Sequence, residues 1–296
     1  MNLRIIANMS TNSTTLQTTS LSPQMLWRRV DHAIDQTGMY RIVTLGLLVL
    51  VLCSLGFALF GIGAYTLPEQ LWSLVTVVVT ALVVNQLISH VTGIHANHES
   101  ALITALILFF LFPPAFVPPD TAWYVPPTDL LYLALGSIAA MLSKYMLVWR
   151  RQHIFNAAAI GAVALSFTWP GLEKPLYEAW WWVASPELFI PLLLAGAAVV
   201  QKIRRWPMVI AFLGIGLAVF ILDTGTASTE TLWRYFVTGP ALFLAFFMLT
   251  EPFTTPPTER LRIGYAVVVA ILMNTTLLAP YVAMTPELAL VIGNLL

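Results

Sequence analysis

Thr104, Lys144, His153, Asn156, Trp182 and Thr250 are polar or amphipathic side chains set in or beside strongly apolar stretches, where their chemistry is hardest to ignore. Lys144 lies six residues before Arg150, about 9 Å deeper along a helix. An ammonium held that deep in a bilayer marks a functional site, unless its four-carbon stem snorkels back to the surface. His153 and Asn156 open the next apolar stretch. A helix beginning there offers free N–H groups and a positive dipole end to an anion, or Asn156 is a plain N-cap. Thr104 and Thr250 sit inside short apolar segments, and their hydroxyls bond either their own backbone or a ligand. Glu251, just before Pro252, reads as a cap or an interface charge. Trp169, Tyr177, Trp180, Trp181 and Trp182 crowd one boundary as an interfacial aromatic belt, with stacking of Trp181 or Trp182 on a planar ring as the alternative. His90, His95, His98 and Glu99 carry metal-ligand chemistry, yet spacings of five and three match no zinc signature. They read as a solvated loop, and no metal site is expected. Walker A, GxGxxG and nucleophile-elbow motifs are absent from the sequence.

The elements that must position these groups are membrane helices. The chain is 58% hydrophobic and 9% charged, with a mean hydropathy of +0.82. A soluble domain carries about 25% charge, so this composition excludes a soluble enzyme, a disordered chain and a nucleic-acid binder with a basic face. Lys+Arg and Asp+Glu balance at 14 each, and Cys53 is the single cysteine, which rules out a disulfide framework or a cysteine-ligated cluster. The expected fold class is an all-α polytopic membrane protein.

Residues 1–38 are Ser/Thr-rich and read as a cytoplasmic polar tail, with Met25–Gln36 as a short interfacial helix. Residues 39–296 form a single transmembrane domain of ten apolar stretches, at 41–62, 70–92, 100–112, 128–149, 154–169, 187–201, 207–222, 235–250, 261–279 and 285–296. The first, second, fourth and ninth reach the roughly 20 residues a span requires. The third ends at Pro113-Pro114 and the fifth at Trp169-Pro170-Gly171, and the eighth and tenth are short as well. Short, proline-terminated stretches imply broken or re-entrant segments surrounded by other protein. With ten crossings and a cytoplasmic N-terminus, Arg4, Arg28, Arg29, Arg41, Lys144, Arg150, Arg151, Lys202, Arg204, Arg205, Arg260 and Arg262 lie inside, leaving Lys174 and Arg234 outside. That asymmetry predicts both termini in the cytoplasm and a bacterial-type inner membrane location.

An internal repeat sharpens the architecture. Glu99–Pro114 and Val237–Pro252 are both short apolar segments that close on proline, each followed by a Pro-rich loop, a longer span and a short final segment. The halves are about 39–170 and 186–296, five segments each. Five is odd, so the second half is inverted relative to the first, and a central site near the pseudo-twofold axis is expected.

Ser100–Ala105 with Pro113-Pro114, Lys144-Tyr145, His153–Ala159, Trp181-Trp182-Val183 and Phe246–Pro252, in that order, resemble the D subunit of the Rnf electron-transport complex. They are also similar to the B subunit of the sodium-pumping NADH:quinone reductase, in the branch often joined to a ferredoxin-reductase-like module. The resemblance runs from about residue 40 to the end. It implies ten helices in two inverted halves, a flavin inside the membrane domain and one-electron traffic across the bilayer. In that family FMN is esterified to the Thr of a Ser-Gly-Ala-Thr motif in the loop after segment five. Here that loop, Gly171–Ser185, lacks the motif, and Thr238-Gly-Pro-Ala241 and Thr224-Gly-Thr-Ala227 are partial echoes elsewhere. The expected cofactor is therefore non-covalent FMN, or none, with Thr104, Lys144, His153, Asn156, Trp182 and Thr250 as the candidate contacts.

The leading expectation is an electron-transfer subunit rather than an enzyme in its own right. Its partner would be a separately encoded cytoplasmic flavin/nicotinamide reductase docking on Arg150, Arg151, Lys202, Arg204 and Arg205. The rival is a channel or transporter for a small neutral solute, because a five-plus-five inverted repeat also builds urea-type channels. A cofactor-free scaffold is the third reading.

Overall fold

The computed structural model describes residues 35–118, 123–149, 152–168, 173–276, 278 and 281–296. The tail through residue 34, most of the expected interfacial helix, Arg150, Arg151 and Trp169–Gly171 lie outside the described residues. The described chain is a helical bundle. Its helices are α1 (Met39–Leu59), α2 (Leu67–Thr92), α3 (His98–Leu111), α4 (Pro127–Met146), α5 (Ala157–Ser166), α6 (Phe189–Ile203), α7 (Trp206–Thr224), α8 (Thr229–Phe236), α9 (Ala241–Phe243), α10 (Glu259–Asn274) and α11 (Pro286–Gly293). α9 runs straight into a π-helical turn, Leu244–Met248. A two-residue hairpin, Val148–Trp149 against Gln152–His153, links α4 to α5.

Three helices, α1, α2 and α7, are long and apolar enough to cross a membrane, and α8 with α9, bent by 46°, makes a fourth if taken as one broken span. This departs from the expectation that the first, second, fourth and ninth stretches reach span length, since α4 is not among these helices and two further stretches differ. The ninth stretch forms only the 16 residues of α10, which stops at Asn274 ahead of Thr275 and Thr276. The seventh, read as shorter, extends to 19 residues and ends on Gly225, whose φ of 70° is the left-handed C-cap that glycine takes without strain. α4 has 20 residues, with Asp129 in its first turn and Lys144 in its last.

Helix starts are written locally. Asn97, Asn156, Ser228, Thr258 and Thr285 each accept a backbone N–H from the first turn of the helix that follows. Thr66 and Glu69 form a reciprocal capping box on α2. Glu69 also accepts the N–H of Val117, and Ser73 that of Ala115, so α2 satisfies the backbone of the Pro-rich loop after α3.

The short segments are the inner ones. Every residue from Leu106 to Phe112 and from Ala241 to Leu249 is buried, whereas the long helices expose Leu45, Leu52, Val79 and Val83 on their outer faces. α1 packs on α6, α2 on α3 and α4, α4 on α5, α7 on α10, α10 on α11, and α5 on α11. α4 and α5 meet backbone to backbone. A Cβ at Gly161 would stand 2.5 Å from the carbonyl oxygen of Gly136.

Candidate functional site

Two polar centres occupy the opposite ends of α3. The Lys144 end is built from the starts of α3 and α5, the end of the π-turn and the end of α11. The Lys144 ammonium turns onto α3, donating to the carbonyl oxygen and the hydroxyl of Ser100 at 2.7 and 2.9 Å. It is engaged within the bundle rather than snorkelling. Thr104 donates to the Ser100 carbonyl and Thr250 to the Phe246 carbonyl, the self-satisfied arrangement of membrane threonines.

Asn156 caps α5 through its side-chain oxygen and donates its amide Nδ2 to Glu251 Oε2 at 2.8 Å. His153 Nε2 lies 3.3 Å from the other oxygen, Oε1. The anion that a helix N-terminus attracts is therefore supplied by the chain itself. Asn294, just after α11, closes the network. Its Oδ1 accepts the N–H of Asn156, and its Nδ2 donates to the carbonyl of Thr254 and the hydroxyl of Tyr265. Asn156 and Asn294 are buried, so each of these bonds removes a desolvation cost of about 1–3 kcal/mol.

Ser100, Thr104, Asn156, Thr250, Glu251 and Phe247 line one cavity here, about 40 Å³ in volume. A water needs roughly 10–15 Å³, and ligand pockets run to roughly 300–1,000 Å³. The space suits a few waters. Of the sequence-derived candidates, Thr104, Asn156 and Thr250 line it, and Lys144 and His153 bond Ser100 and Glu251 of the same wall.

Trp182 stands apart from them, at the other end of α3. There the chain from Trp180 to Trp182 folds over the helix terminus and satisfies its last carbonyls. The N–H groups of Trp180 and Trp181 both reach Leu111 at 2.8 Å, and the indole of Trp182 donates to Phe109. Trp181 takes a φ of 53° to do so, and its indole donates to Glu287 Oε2 at 3.1 Å, while Ser166 donates to Oε1. Trp180 is exposed, whereas Trp181 and Trp182 are buried inside the bundle and not set on an interfacial surface.

A cavity of about 260 Å³ opens beside them. Tyr65, Trp180, Trp181 and Trp182 form its aromatic wall, and Gln70 and Ser185 its polar one. Gln70 is 3% exposed; its Nε2 donates to Tyr65, but its Oε1 is buried and has no partner, as is Ser185 Oγ. The described wall carries no Lys or Arg and one carboxylate, Glu187. Thr238, set aside as an acceptor in the sequence, also lies on this wall.

Between the two cavities the rings of Trp182, Phe110, Phe243 and Phe247 follow one another at centroid separations of 5.2, 5.8 and 5.2 Å. This layer is buried, with Trp182 touching one cavity and Phe247 the other.

The basic face is largely engaged within the chain. Arg204 pairs with Asp35 at 2.9 Å, Lys202 donates to the Asp35 carbonyl, and Arg205 turns inward onto Thr250 and Thr255. Arg204 and Lys202 make these contacts at the exposed surface, whereas Arg205 is half-buried. His90, His95 and His98 are exposed, and among the described residues no three metal-ligating side chains come together.

Sequence reasoning missed Asn294, Glu287 and Gln70 as site residues. The signal was there for the first two, because a carboxylate and an amide stood out in the otherwise apolar final stretch, 285–296. Gln70 gave none, because it reads as the polar edge of a span. No protein-family model and no curated protein matches this chain.

Proposed function

We propose that this protein is the membrane subunit of an electron-transport complex, built as two inverted halves, that holds a flavin non-covalently at the Trp182 end. The inverted relation is supported by the packing order. In each half the second helix packs on the fourth and the fourth on the fifth, and elements of equal rank meet across the centre, α1 with α6 and α5 with α11. Ten crossings, cytoplasmic termini and a bacterial inner membrane complete the reading, supported by the distribution of basic residues.

The observation that carries the cofactor is the Trp182-end cavity. Its aromatic walls offer faces for a planar ring, and the orphaned Gln70 Oε1 is a buried acceptor awaiting an N–H such as that of an isoalloxazine. Ser185 Oγ offers a second polar contact. The wall's only charge, Glu187, is unsuited to a phosphate, so the ring would enter and the phosphate would face outward. The loop that the family resemblance points to, Gly171–Ser185, contributes Trp180–Trp182 and Ser185 to this wall. A flavin bound there would supply one-electron redox chemistry, while the chain fixes its position and excludes water.

The aromatic layer favours this reading over a solute channel. Four buried rings in contact leave a neutral solute no polar path between the cavities, yet they keep the two ends in continuous van der Waals contact. Electrons would come from a cytoplasmic flavin/nicotinamide reductase.

The purified protein is expected to show the near-ultraviolet and blue absorption bands of a flavin. Gln70→Leu removes the buried acceptor and should weaken retention about tenfold, one hydrogen bond being worth about 1–1.5 kcal/mol. A colourless wild-type preparation, or unchanged flavin content in Gln70→Leu, overturns the assignment. On a denaturing gel under ultraviolet light the protein band should be dark. Fluorescence in that band would mean covalent attachment, with Thr238 the first residue to test.

A further inference from the structure

We propose that Arg205 and Arg262 form a binding site for the phosphate group of an anionic phospholipid. The two guanidiniums come from different elements and hold one loop between them. Arg205, at the turn between α6 and α7, donates Nη1 to the Thr250 carbonyl at 3.1 Å and to the Thr255 hydroxyl. Arg262, in the first turn of α10, donates Nη2 to the Pro257 carbonyl at 3.2 Å. These anchors use only part of each fork. Arg262 Nε is buried and has no hydrogen-bond partner.

Neither arginine is paired with a carboxylate. Among the described residues the ion pairs are His153–Glu251 and Arg204–Asp35. Glu251, on the loop that Arg205 anchors, and Glu259, at the start of α10, make no ion pair with either arginine. Burial, and after it the positive charge of Arg262, draws the Arg205 guanidinium down to about 10, with Tyr265 opposing. Arg205 stays charged at neutral pH. Two half-buried like charges anchor the same loop without a carboxylate partner, one of them keeping an unpartnered Nε, and guanidinium forks match phosphate geometry.

The surroundings identify the anion as a lipid headgroup rather than free phosphate. Arg205 immediately precedes α7, one of the long apolar helices, and α7 packs on α10. Within the first two turns of these two helices Ile210 and Leu261 are 65% and 55% exposed, aliphatic surface for the acyl chains that follow a headgroup. Basic clefts between membrane helices capture anionic headgroups in this way.

The test uses the full chain in detergent, with thermal midpoint and native mass spectrometry as readouts. Added phosphatidylglycerol or cardiolipin should raise the midpoint and leave at least one lipid bound, with at least tenfold preference over phosphatidylcholine. Millimolar inorganic phosphate should do neither. Arg205→Gln with Arg262→Gln should abolish the preference, and Arg260→Gln should keep it. Should the double variant fail to fold, Arg262→Gln alone, which gives up one anchoring bond, should still lower the preference severalfold. Equal binding of phosphatidylcholine, the same protection from inorganic phosphate, or an unchanged preference in Arg262→Gln overturns the proposal. So does a soluble acidic protein taking the lipid's place.

Discussion

Gly161→Val should leave little folded protein after extraction from the membrane, while Gly264→Ala should be neutral or slightly stabilising. At Gly161 even a single added carbon would lie 2.5 Å from the Gly136 carbonyl oxygen, 2.8 Å from Ala140 Cβ and 3.3 Å from the Ala140 backbone nitrogen. Two of these three atoms belong to the backbone of α4 and cannot rotate away. Gly136 is hemmed in from its own side, since a Cβ there would stand 2.9 Å from Phe112. The only relief is to separate α4 from α5, which disturbs the start of α5 where Asn156 sits. Overpacking costs about 1–3 kcal/mol where side chains can adjust, and more where backbone must move. Against a total stability of about 5–15 kcal/mol, a β-branched residue here should remove most of the margin. Gly264, exposed on α10, has nothing within 4 Å, so Ala there gains about 0.5–1 kcal/mol of helix propensity. The survival of the monodisperse peak in size-exclusion chromatography after graded heating separates the two. Equal survival of Gly161→Val and wild type would refute the close packing of α4 on α5.

Asn294→Ala should destabilise by about 3 kcal/mol or more, far beyond the usual effect of a substitution so near the end of a described chain. The change strands three buried groups at once: the N–H of Asn156, the carbonyl of Thr254 and the hydroxyl of Tyr265. Tyr265→Phe removes only the last of these and should cost about 1 kcal/mol. Once Asn294 is gone, Tyr265→Phe should cost less than it does alone, because its partner is already missing. A double-mutant cycle on thermal midpoints reads this coupling. Strict additivity would show that the Asn294–Tyr265 bond contributes nothing.

Much of this arrangement could be read from residue types and spacing. Proline after Phe112 and after Glu251 marked α3 and the α9 π-turn as broken segments needing protein around them, and both are the buried heart of the bundle. Lys144, His153, Asn156, Thr104 and Thr250 were singled out as polar groups in apolar surroundings, and they converge. Their partners were not legible. Asn156 meets Glu251 across 95 positions and Asn294 across 138, and local pattern carries no information about pairings of that span. The tryptophans misled for a related reason. Composition assigns a Trp cluster at a boundary to the interface, whereas the unsatisfied carbonyls at the end of α3 draw Trp181 and Trp182 inward. Hydropathy also overstated the ninth stretch, because apolar residues continue past Asn274 although the helix does not.

The separation between Asn156 and Asn294 also has a meaning in time. Ribosomes add roughly 5–20 residues per second, so after Asn156 leaves the tunnel about ten seconds pass before Asn294 follows it. Glu287, the acceptor for Ser166 and Trp181, arrives almost as late, 121 and 106 positions behind its donors. During that interval the first half of the bundle stands in the membrane with its α5 terminus and its indole donor unsatisfied, in a solvent that offers them nothing. A first half made ahead of the second therefore lacks, until the chain is nearly finished, the partners that hold it in the native bundle.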